Sequence, residues 1–339
     1  MHILSHPAAP GKPRLTLFNG AVVCYNGPGG DQVKDFENIC HIAVVQAAPV
    51  MFDAAACTDK AARLIDEAAQ HGAKLIVFPE LFIPGYPYGL NFGFSVGHRD
   101  ENMRPDWARY AQNSILVPGR ETDVLCERAR AHDVWVSIGV SERDAVTGTL
   151  YNSNVFITPH GEVHSCHRKL KPTGSERVVW GDADRAYFPV AETPWGVMGS
   201  MICWESYMPL ARAALYQKGV GLYVSPNTND NDEWQCTIRH IALEGRCYFI
   251  NCDMYFTRDM YPDWLHECEA ISSLDAIVCR GGSCIVDPHG HYVTEPLWDR
   301  EGIIYADLDM TKLPASRMEF DPCGHYSRPD VLKLNVLDI

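Results

Sequence analysis

The sequence predicts a mixed α/β protein in which helices cover the outside of a β-sheet system. Three observations favour this class. The globular part opens with a strand, a helix and a second strand, and strand and helix patterns keep alternating to about residue 253. The remainder reads as β-hairpins. Strands separated by helices, followed by hairpins, are typical of mixed sheets with helices on their outer faces.

The opening unit is the clearest local pattern. Residues 41–46 are a short β-branched run. Asp53 can cap a helix over residues 54–71, where apolar side chains recur at helical spacing, and Gly72 follows as a stop signal. Residues 75–78 are a continuous apolar run. The unit is therefore predicted to be βαβ-like, with a second strand that is buried on both faces.

The later elements follow from the same rules. Helices are predicted over residues 106–113, 121–132, 209–218 and 233–245. Strands are predicted over residues 135–140, 153–158, 163–170, 196–203, 222–225, 248–253, 282–287, 292–295 and 303–308. Two Pro-His-Gly turns, at residues 159–161 and 288–290, separate neighbouring strands.

Domain organisation is predicted from composition. Residues 1–38 are rich in Pro and Gly, which break helices and central strands, so we expect a mobile N-terminal extension there. Residues 39–339 contain no linker, no low-complexity tract and no repeat of 20–50 residues. They are expected to form one domain.

Charge and cysteine usage narrow the class of protein. The formal net charge of −14 makes nucleic acid and anionic membranes poor partners. No apolar run approaches the ~20 residues of a membrane helix, and the first 30 residues do not resemble a signal peptide. The 13 cysteines are an odd number without a CxxC pair, which argues against a disulfide framework. We therefore expect a cytoplasmic protein with reduced thiols.

Metal and cofactor signatures are weak in this sequence. There is no GxGxxG after a strand, no P-loop and no HExxH. His160, His164, Cys166 and His167 lie around a hairpin turn and alternate between its faces, so they are not expected to converge on a metal ion. We predict that the protein needs no metal and no organic cofactor.

Three reactive side chains follow apolar strands, which is where α/β enzymes collect their site residues. Glu80 follows the second strand, Lys169 ends another, and Cys203 lies between a strand and a predicted helix start near Met208. The positive end of that helix and Lys169 are expected to lower the pKa of the Cys203 thiol. Cys203 is therefore predicted to be the thiol that iodoacetamide alkylates first.

The motifs around these residues resemble the carbon–nitrogen hydrolase superfamily over nearly all of the globular region. The matching segments occur in the family's order: Phe78-Pro-Glu80, Pro84-Gly-Tyr-Pro87, His167-Arg-Lys-Leu170, Cys203-Trp-Glu205, Arg239 to Arg246, and Gly324 to Asp330. The Trp-Glu pair after the cysteine resembles the nitrilase branch. The resemblance implies a four-layer α-β-β-α sandwich and a catalytic set of Glu, Lys and Cys.

For this sequence, the resemblance implies hydrolysis of a small-molecule nitrile to its acid and ammonia through a covalent Cys203 intermediate. It implies Glu80 as the proton acceptor, Lys169 as the charge stabiliser and Glu176 in support. Trp204 and Tyr86 are the expected substrate-binding residues. An amidase or a cyanide hydratase or dihydratase using the same site, and more remotely a non-catalytic scaffold, stay open.

The assembly is predicted from one helix and from the resemblance. Helix 233–245 is predicted to carry apolar side chains on more than one face, because its sequence combines charged residues with Trp234, Ile238, Ile241 and Ala242. A second subunit would then cover the face that the sheet leaves open. Members of this superfamily pair through such helices, so a homodimer or a larger, spiral homo-oligomer is expected.

Overall fold

The computed structural model describes residues 14–18, 21–25, 36–183 and 188–337. The chain divides into two units, Met1–Glu37 and Asn38–Ile339. In the first unit, strands β1 (Arg14–Phe18) and β2 (Ala21–Tyr25) pair as an antiparallel hairpin. Of the predicted extension, residues 1–13, 19–20 and 26–35 lie outside the described residues.

The second unit contains the other strands. In chain order they are β3 (Ile39–Gln46), β4 (Leu75–Val77), β5 (Phe94–Ser95), β6 (His98–Arg99), β7 (Trp135–Arg143), β8 (Leu150–Ile157), β9 (Val163–Arg168), β10 (Val190–Thr193), β11 (Gly196–Ser200), β12 (Leu222–Asn227), β13 (Tyr248–Asp253), β14 (Tyr255–Thr257), β15 (Ile277–Val286), β16 (Tyr292–Trp298) and β17 (Gly302–Asp309).

The described helices follow the same order along the chain. They are α1 (Ala54–Gln70), α2 (Arg104–Asn113), α3 (Arg120–His132), α4 (Pro209–Gln217), α5 (Asp232–Gly245), α6 (Glu269–Ser272) and α7 (Lys312–Arg317). Asp53 caps α1 as predicted, because its side chain accepts a hydrogen bond from the backbone N–H of Ala56 at 2.9 Å.

Two large sheets form the centre of this unit. The first has six strands in the order β17-β3-β4-β7-β8-β9, and β3, β4 and β7 run parallel. The second has the order β10-β11-β12-β13-β15-β14, with β16 also paired to β15. The predicted βαβ-like opening is confirmed by the parallel pairing of β3 and β4.

Three hydrophobic clusters show how the layers stack. The cluster between the sheets joins side chains of β3 and β4 to side chains of β12 and β13, including Val44, Val77, Val224 and Ile250. A second cluster packs α1 and α3 on the outer face of the six-stranded sheet. A third packs α4 and α5 on the outer face of the other sheet. The layers are therefore helix, sheet, sheet and helix, which confirms the predicted four-layer sandwich.

The structure differs from the prediction in particular elements. The predicted pattern missed β1, β2, β5, β6, β10, β14, α6 and α7, which are short and carry little periodicity. The four apolar residues that the prediction names for α5 share one face rather than two, and Leu243 on the opposite side is 41% exposed. Trp234, Ile238, Ile241 and Ala242 are all buried on the face that packs on the sheet, as one helical stripe. The argument for a dimer from this helix therefore fails.

In the described part of the chain, none of the helices is long and apolar enough to cross a lipid bilayer.

Candidate active site

The first site residue is held by a close approach of two backbone segments. Glu80 follows β4, and the Pro79–Leu81 backbone lies directly against Gly139 of β7. A Cβ atom on Gly139 would come within 2.4 Å of the Pro79 carbonyl oxygen, so only glycine fits here. The Gly139 N–H donates to that carbonyl at 3.2 Å. The strand end and this glycine together direct Glu80 into the interior.

The Glu80 carboxylate is fully buried and hydrogen-bonded on both oxygens. Its Oε1 accepts from Lys169 Nζ at 2.8 Å and from Asn152 Nδ2 at 2.6 Å. Its Oε2 accepts from the Thr228 hydroxyl at 3.3 Å. Burial raises the pKa of Glu80, and nearby Lys169 only partly opposes this, so the net direction is upward. A carboxyl group with a raised pKa is suited to taking and returning protons.

The Lys169 ammonium lies between two carboxylates. Its backbone N–H donates to the Asn152 carbonyl at 2.7 Å, which fixes the residue just after β9. Its Nζ donates to Glu80 Oε1 at 2.8 Å and to Glu176 Oε2 at 2.9 Å. Burial acts to lower the pKa of Lys169, but Glu80, Cys203 and Glu176 outweigh it and raise the pKa above its ordinary value. The lysine is therefore charged in the resting site.

Glu176 is the outer carboxylate of this cluster and stands in a short 3-10 turn. Its Oε2 accepts from the backbone N–H of Thr173 at 2.7 Å as well as from Lys169. Its Oε1 accepts from the Tyr86 hydroxyl at 2.9 Å. Glu176 thus ties Lys169 to the aromatic loop that contains Tyr86. The structure brings together these three residues, which the sequence predicted for one site.

Cys203 lies after β11 in a strained turn. Its backbone has a φ of +51°, a left-handed conformation that is unusual for a residue with a side chain. The residue is 4% exposed and begins a 3-10 turn (Cys203–Tyr207) that precedes α4. The thiol interacts electrostatically with Glu80, Lys169 and Glu176, which places it in the same buried cluster.

The expected lowering of the Cys203 pKa is wrong. Burial and the Glu80 carboxylate raise the pKa of the thiol well above its ordinary value, although Lys169 and the Thr228 N–H act in the opposite direction. The helix itself begins at Pro209, as predicted, but its positive end does not outweigh these two effects. The resting residue is therefore a neutral thiol that needs a base.

Glu205 links the turn of Cys203 to the strand of Lys169. Its carboxylate accepts from the N–H of Ile202 at 2.7 Å, from the N–H of Leu170 at 2.6 Å and from His167 Nε2 at 2.9 Å. These donors flank the nucleophile turn and the lysine. Burial acts to raise the pKa of Glu205, but His167 and the backbone donors lower it overall. Glu205 is therefore ionised, and it holds the backbone segments that precede Cys203 and follow Lys169 together behind the site.

Asn152, Thr228 and Glu205 are site residues that the sequence reasoning missed. Asn152 belongs to a run of polar residues, Asn152 to Asn154, that is buried inside the otherwise apolar β8. Such a buried polar run was a usable signal. Thr228 lacked a comparable signal, since it stands in a polar loop after β12 whose position depends on the sheet order.

The two predicted substrate-binding residues lie at the edge of the cluster. Tyr86 is partly buried, and its hydroxyl interacts with Glu176. Trp204 is 47% exposed and packs edge-to-face on Tyr207, with ring centroids 5.4 Å apart. Neither contact identifies a bound substrate group.

The histidines and cysteine around β9 contact different partners. His164 Nε2 lies 3.1 Å from the Val190 carbonyl oxygen, and the Cys166 thiol faces Glu142 at 3.4 Å. His167 points inward to Glu205. Within residues 36–183 and 188–337, no group of three or more potential ligands is arranged to hold a metal ion.

The cluster contains the functional groups that covalent catalysis requires. A neutral thiol lies in one buried site with a carboxylate of raised pKa and with an ammonium that two carboxylates hold in place. Such a site can transfer a proton from sulfur, form a bond to an electrophilic carbon and stabilise the negative charge that develops.

Comparison with known proteins agrees with this geometry. Residues 41–317 match the family model described as carbon-nitrogen hydrolase. An aliphatic nitrilase of Sinorhizobium fredii (strain HH103) is 47% identical over 87% of this chain and 94% of its own length. A bifunctional nitrilase/nitrile hydratase of Lupinus angustifolius is 43% identical over 87% of this chain and 85% of its own length.

Solved structures show the same fold at lower identity. A Saccharomyces cerevisiae protein described as a member of branch 10 of the nitrilase superfamily superposes with a TM-score of 0.69. Its identity is 20%, and the match covers 88% of this chain and 99% of that one.

Proposed function

The chain belongs to the carbon–nitrogen hydrolase family, in its nitrilase branch, and on this premise we propose that it hydrolyses organic nitriles to carboxylic acids and ammonia. The overall reaction is R–C≡N + 2 H2O → R–COOH + NH3. One observation carries the proposal. The side chains of Glu80, Lys169 and Cys203, which are far apart in sequence, meet in one buried cluster.

The first step of the proposed mechanism is thiol addition. Glu80 takes the proton from the Cys203 thiol, and the sulfur forms a bond to the nitrile carbon. The C≡N triple bond becomes a double bond, and its nitrogen takes the proton that Glu80 returns, giving a thioimidate. The raised pKa of Glu80 suits this exchange, because it narrows the gap to the pKa of its proton donor.

Two waters complete the reaction. Glu80 activates the first water, which adds to the thioimidate carbon and gives a tetrahedral intermediate. Glu80 then protonates the nitrogen, the C–N bond breaks, and ammonia leaves a thioester on Cys203. A second water, activated by the same carboxylate, releases the acid and restores the thiol. Lys169 stabilises the negative charge in the additions, aided in our proposal by the Trp204 N–H.

Glu176 supports this chemistry by holding the lysine. Because Lys169 binds both carboxylates at once, its ammonium cannot turn away from the reacting atoms without losing a buried ion pair. Tyr86 binds Glu176 and lies beside the cluster, and Trp204 directly follows the nucleophile. We assign both residues to the substrate-binding surface.

An amide product is the second candidate outcome. Relatives at 42–43% identity are named as bifunctional nitrilase/nitrile hydratases. The two outcomes diverge at the tetrahedral intermediate, which forms the amide if Cys203 leaves and the acid if ammonia leaves. The proton that Glu80 delivers to nitrogen favours ammonia.

The test is ammonia release across a nitrile panel. Aliphatic, aromatic and arylacetonitrile substrates and cyanide are incubated with the wild-type protein, with Cys203→Ala and with a control, Cys323→Ala. Cys323 is an exposed cysteine of the C-terminal segment. We expect ammonia from wild type and the control, and none from Cys203→Ala. Equal ammonia release by Cys203→Ala would exclude this mechanism, and no turnover of any nitrile or amide by wild type would favour a scaffold.

We also propose that the protein assembles at least as a homodimer. The support is an exposed apolar surface at the start of α4: Tyr207 is 41% exposed, Met208 40% and Leu210 70%. Burying such a surface against a second copy would remove it from water. Light scattering of wild type is expected to show a dimer or larger species, and Leu210→Glu is expected to reduce its mass. A stable, active monomer would contradict the proposal.

A cytoplasmic location is proposed on the state of the cysteines. No disulfide links the 12 cysteines that lie within residues 36–183 and 188–337 to one another, which fits a reducing compartment. We further propose that residues 39–339 form the catalytic domain and residues 1–38 an extension. Deletion of that extension is expected to leave nitrile turnover intact.

A further inference from the structure

The aromatic loop after Glu80 brings a second tyrosine next to the proposed site. Tyr88 lies beside Tyr86, with ring centroids 4.6 Å apart. Its hydroxyl neighbours the side chain of Thr228 and the thiol of Cys279. Thr228 in turn binds Glu80 through its hydroxyl and Cys203 through its N–H. The Tyr88 hydroxyl is therefore separated from the reacting groups by a single residue.

The position of Tyr88 is fixed by the segment that follows β13. Its carbonyl oxygen accepts from the Tyr261 hydroxyl at 2.6 Å. Its ring stacks on Phe256, with centroids 6.2 Å apart and an interplanar angle of 17°. The next residue, Gly89, has a φ of +75° and lies so close to the Ala270 carbonyl that a Cβ would come within 2.8 Å. The hydroxyl is thus preorganised rather than free to turn outward.

Thr228 and Cys279 lie near this hydroxyl, but neither pairs with it at full hydrogen-bonding geometry. Among the described residues, the Tyr88 hydroxyl and the Asn229 Nδ2 are buried polar atoms that no protein group satisfies at hydrogen-bonding geometry. Asn229 directly follows Thr228 in the chain. A buried polar group without a partner costs free energy, which a ligand can recover by pairing with it.

The kind of ligand atom that could pair with the Tyr88 hydroxyl follows from the chemistry of the surrounding groups. The Asn229 amide nitrogen can only donate, and burial raises the pKa of Tyr88, so its hydroxyl stays protonated and can donate. The surroundings carry two carboxylates, Glu80 and Glu176, against one ammonium, Lys169. That excess of negative charge disfavours an anionic ligand group and favours a neutral acceptor.

We propose that Tyr88 is a specificity-determining residue whose hydroxyl donates a hydrogen bond to a neutral oxygen or nitrogen acceptor on the substrate chain. The preferred substrates are then nitriles that carry an ether, hydroxyl, carbonyl or second nitrile group a few atoms from the reacting carbon. This inference rests on the proposed nitrile hydrolysis and deepens it.

An isosteric pair of substrates tests the inference. 3-Methoxypropionitrile and valeronitrile have the same chain length and differ by an ether oxygen in place of a CH2 group. For wild type, kcat/KM for the ether is expected to exceed that for the hydrocarbon by about three- to tenfold. In Tyr88→Phe the ratio is expected to fall towards one. The control Tyr305→Phe, at a 38% exposed tyrosine of β17, is expected to keep the wild-type ratio.

The outcomes separate this inference from the function it rests on. A wild-type protein that hydrolyses both nitriles at a ratio that Tyr88→Phe leaves unchanged would overturn the inference alone. If Tyr88→Phe is poorly folded, the wild-type measurement decides, and a wild-type ratio of one or below overturns the inference as well. A wild-type protein that hydrolyses no nitrile of the larger panel would overturn the proposed function and this inference together.

Discussion

His167 and Glu205 form a buried pair, Nε2 to Oε2 at 2.9 Å, in which both side chains are at most 1% exposed. The pair joins β9, which leads to Lys169, with the turn that carries Cys203. The same carboxylate binds the N–H groups of Leu170 and Ile202, which are the chain neighbours of these two residues. The relative position of lysine and thiol therefore depends on one ionised carboxylate that does not itself react.

Glu205→Gln is predicted to lower kcat by about ten- to a hundredfold while KM changes less, because a small displacement of the nucleophile is costly. An amide nitrogen in place of one carboxylate oxygen would face a donor and leave it unpaired. The measurement is steady-state kinetics together with thermal unfolding. Glu101→Gln, at an exposed glutamate paired with Arg104, is the control.

A purely structural role for Glu205 would give a different pattern. If the variant is destabilised but its folded fraction turns over nitrile at the wild-type kcat, the positioning role is refuted. A double-mutant cycle with His167→Ala adds a second check. Because the two residues share one hydrogen bond, their effects on kcat are expected to be less than additive.

The pH dependence of stability gives an independent prediction for Glu205. Burial acts to raise its pKa, but His167 and the backbone donors bring it below the ordinary value of 4.5. Because the folded-state pKa lies below the unfolded-state pKa, the ionised Glu205 carboxylate stabilises the folded protein at pH values above 4.5. This contribution is lost as the pH falls through the folded-state pKa. Chemical denaturation from about pH 6 to pH 3 should narrow the difference in unfolding free energy between wild type and Glu205→Gln. A constant difference would contradict the assignment.

The site also shows how far sequence reasoning extends. Glu80 and Lys169 could be predicted because each follows or ends an apolar strand, and Glu176 could be predicted from the family resemblance. The structure brings all three into one cluster. The pKa of Cys203 could not, since its direction depends on burial and on a carboxylate 123 positions away in sequence. Thr228 and Tyr88 likewise reach the site only through the sheet order and the contact with Tyr261.

The secondary structure could likewise be predicted only in part. α1 and β3 were predictable from local periodicity and from the Asp53 cap. β14 and α6 have three and four residues and no periodicity to detect. The error for α5 has a geometric cause. The four apolar residues named in the prediction fall in one stripe at 3.6 residues per turn, whereas the charged residues between them suggested two faces.

The acid limb of the pH–rate profile is predicted to report the ionisation of Glu80. Burial raises its pKa above the ordinary 4.5, with Lys169 and Asn152 opposing. Glu80 must be ionised to accept the Cys203 proton, so kcat/KM should fall on the acid side with a midpoint above 4.5. Asn152→Ala removes a donor to the ionised form and should move that midpoint to higher pH. Asn102→Ala, in an exposed turn, should leave it in place, and a downward shift in Asn152→Ala would contradict the prediction.

The role of Lys169 can be tested against Lys171, a lysine two residues away that serves as a matched control. Lys169→Met is predicted to lower kcat/KM by about a thousandfold, because the developing negative charge loses its ammonium partner. Lys171 pairs with Asp182 at the surface, and Lys171→Met should keep near wild-type turnover. Circular dichroism and kinetics of both variants are compared at one pH. A folded Lys169→Met with wild-type kcat/KM would exclude the proposed role.

Thiol labelling is predicted to follow exposure rather than catalytic role. The sequence led us to expect that iodoacetamide reaches Cys203 first, but Cys203 is 4% exposed, and burial and Glu80 raise its pKa. Cys323 is exposed, and although burial also raises its pKa, iodoacetamide has open access to it. Peptide mapping over time should therefore find Cys323 alkylated before Cys203 while nitrile turnover persists. Turnover should then fall in step with Cys203 labelling. Cys323→Ala should lose the early label at position 323 without changing that rate, and the other exposed cysteine, Cys236, is mapped separately. If Cys203 is labelled before Cys323, the buried Cys203 thiol reacts faster than a neutral thiol in that position should. The assignment of a neutral resting thiol would then be wrong.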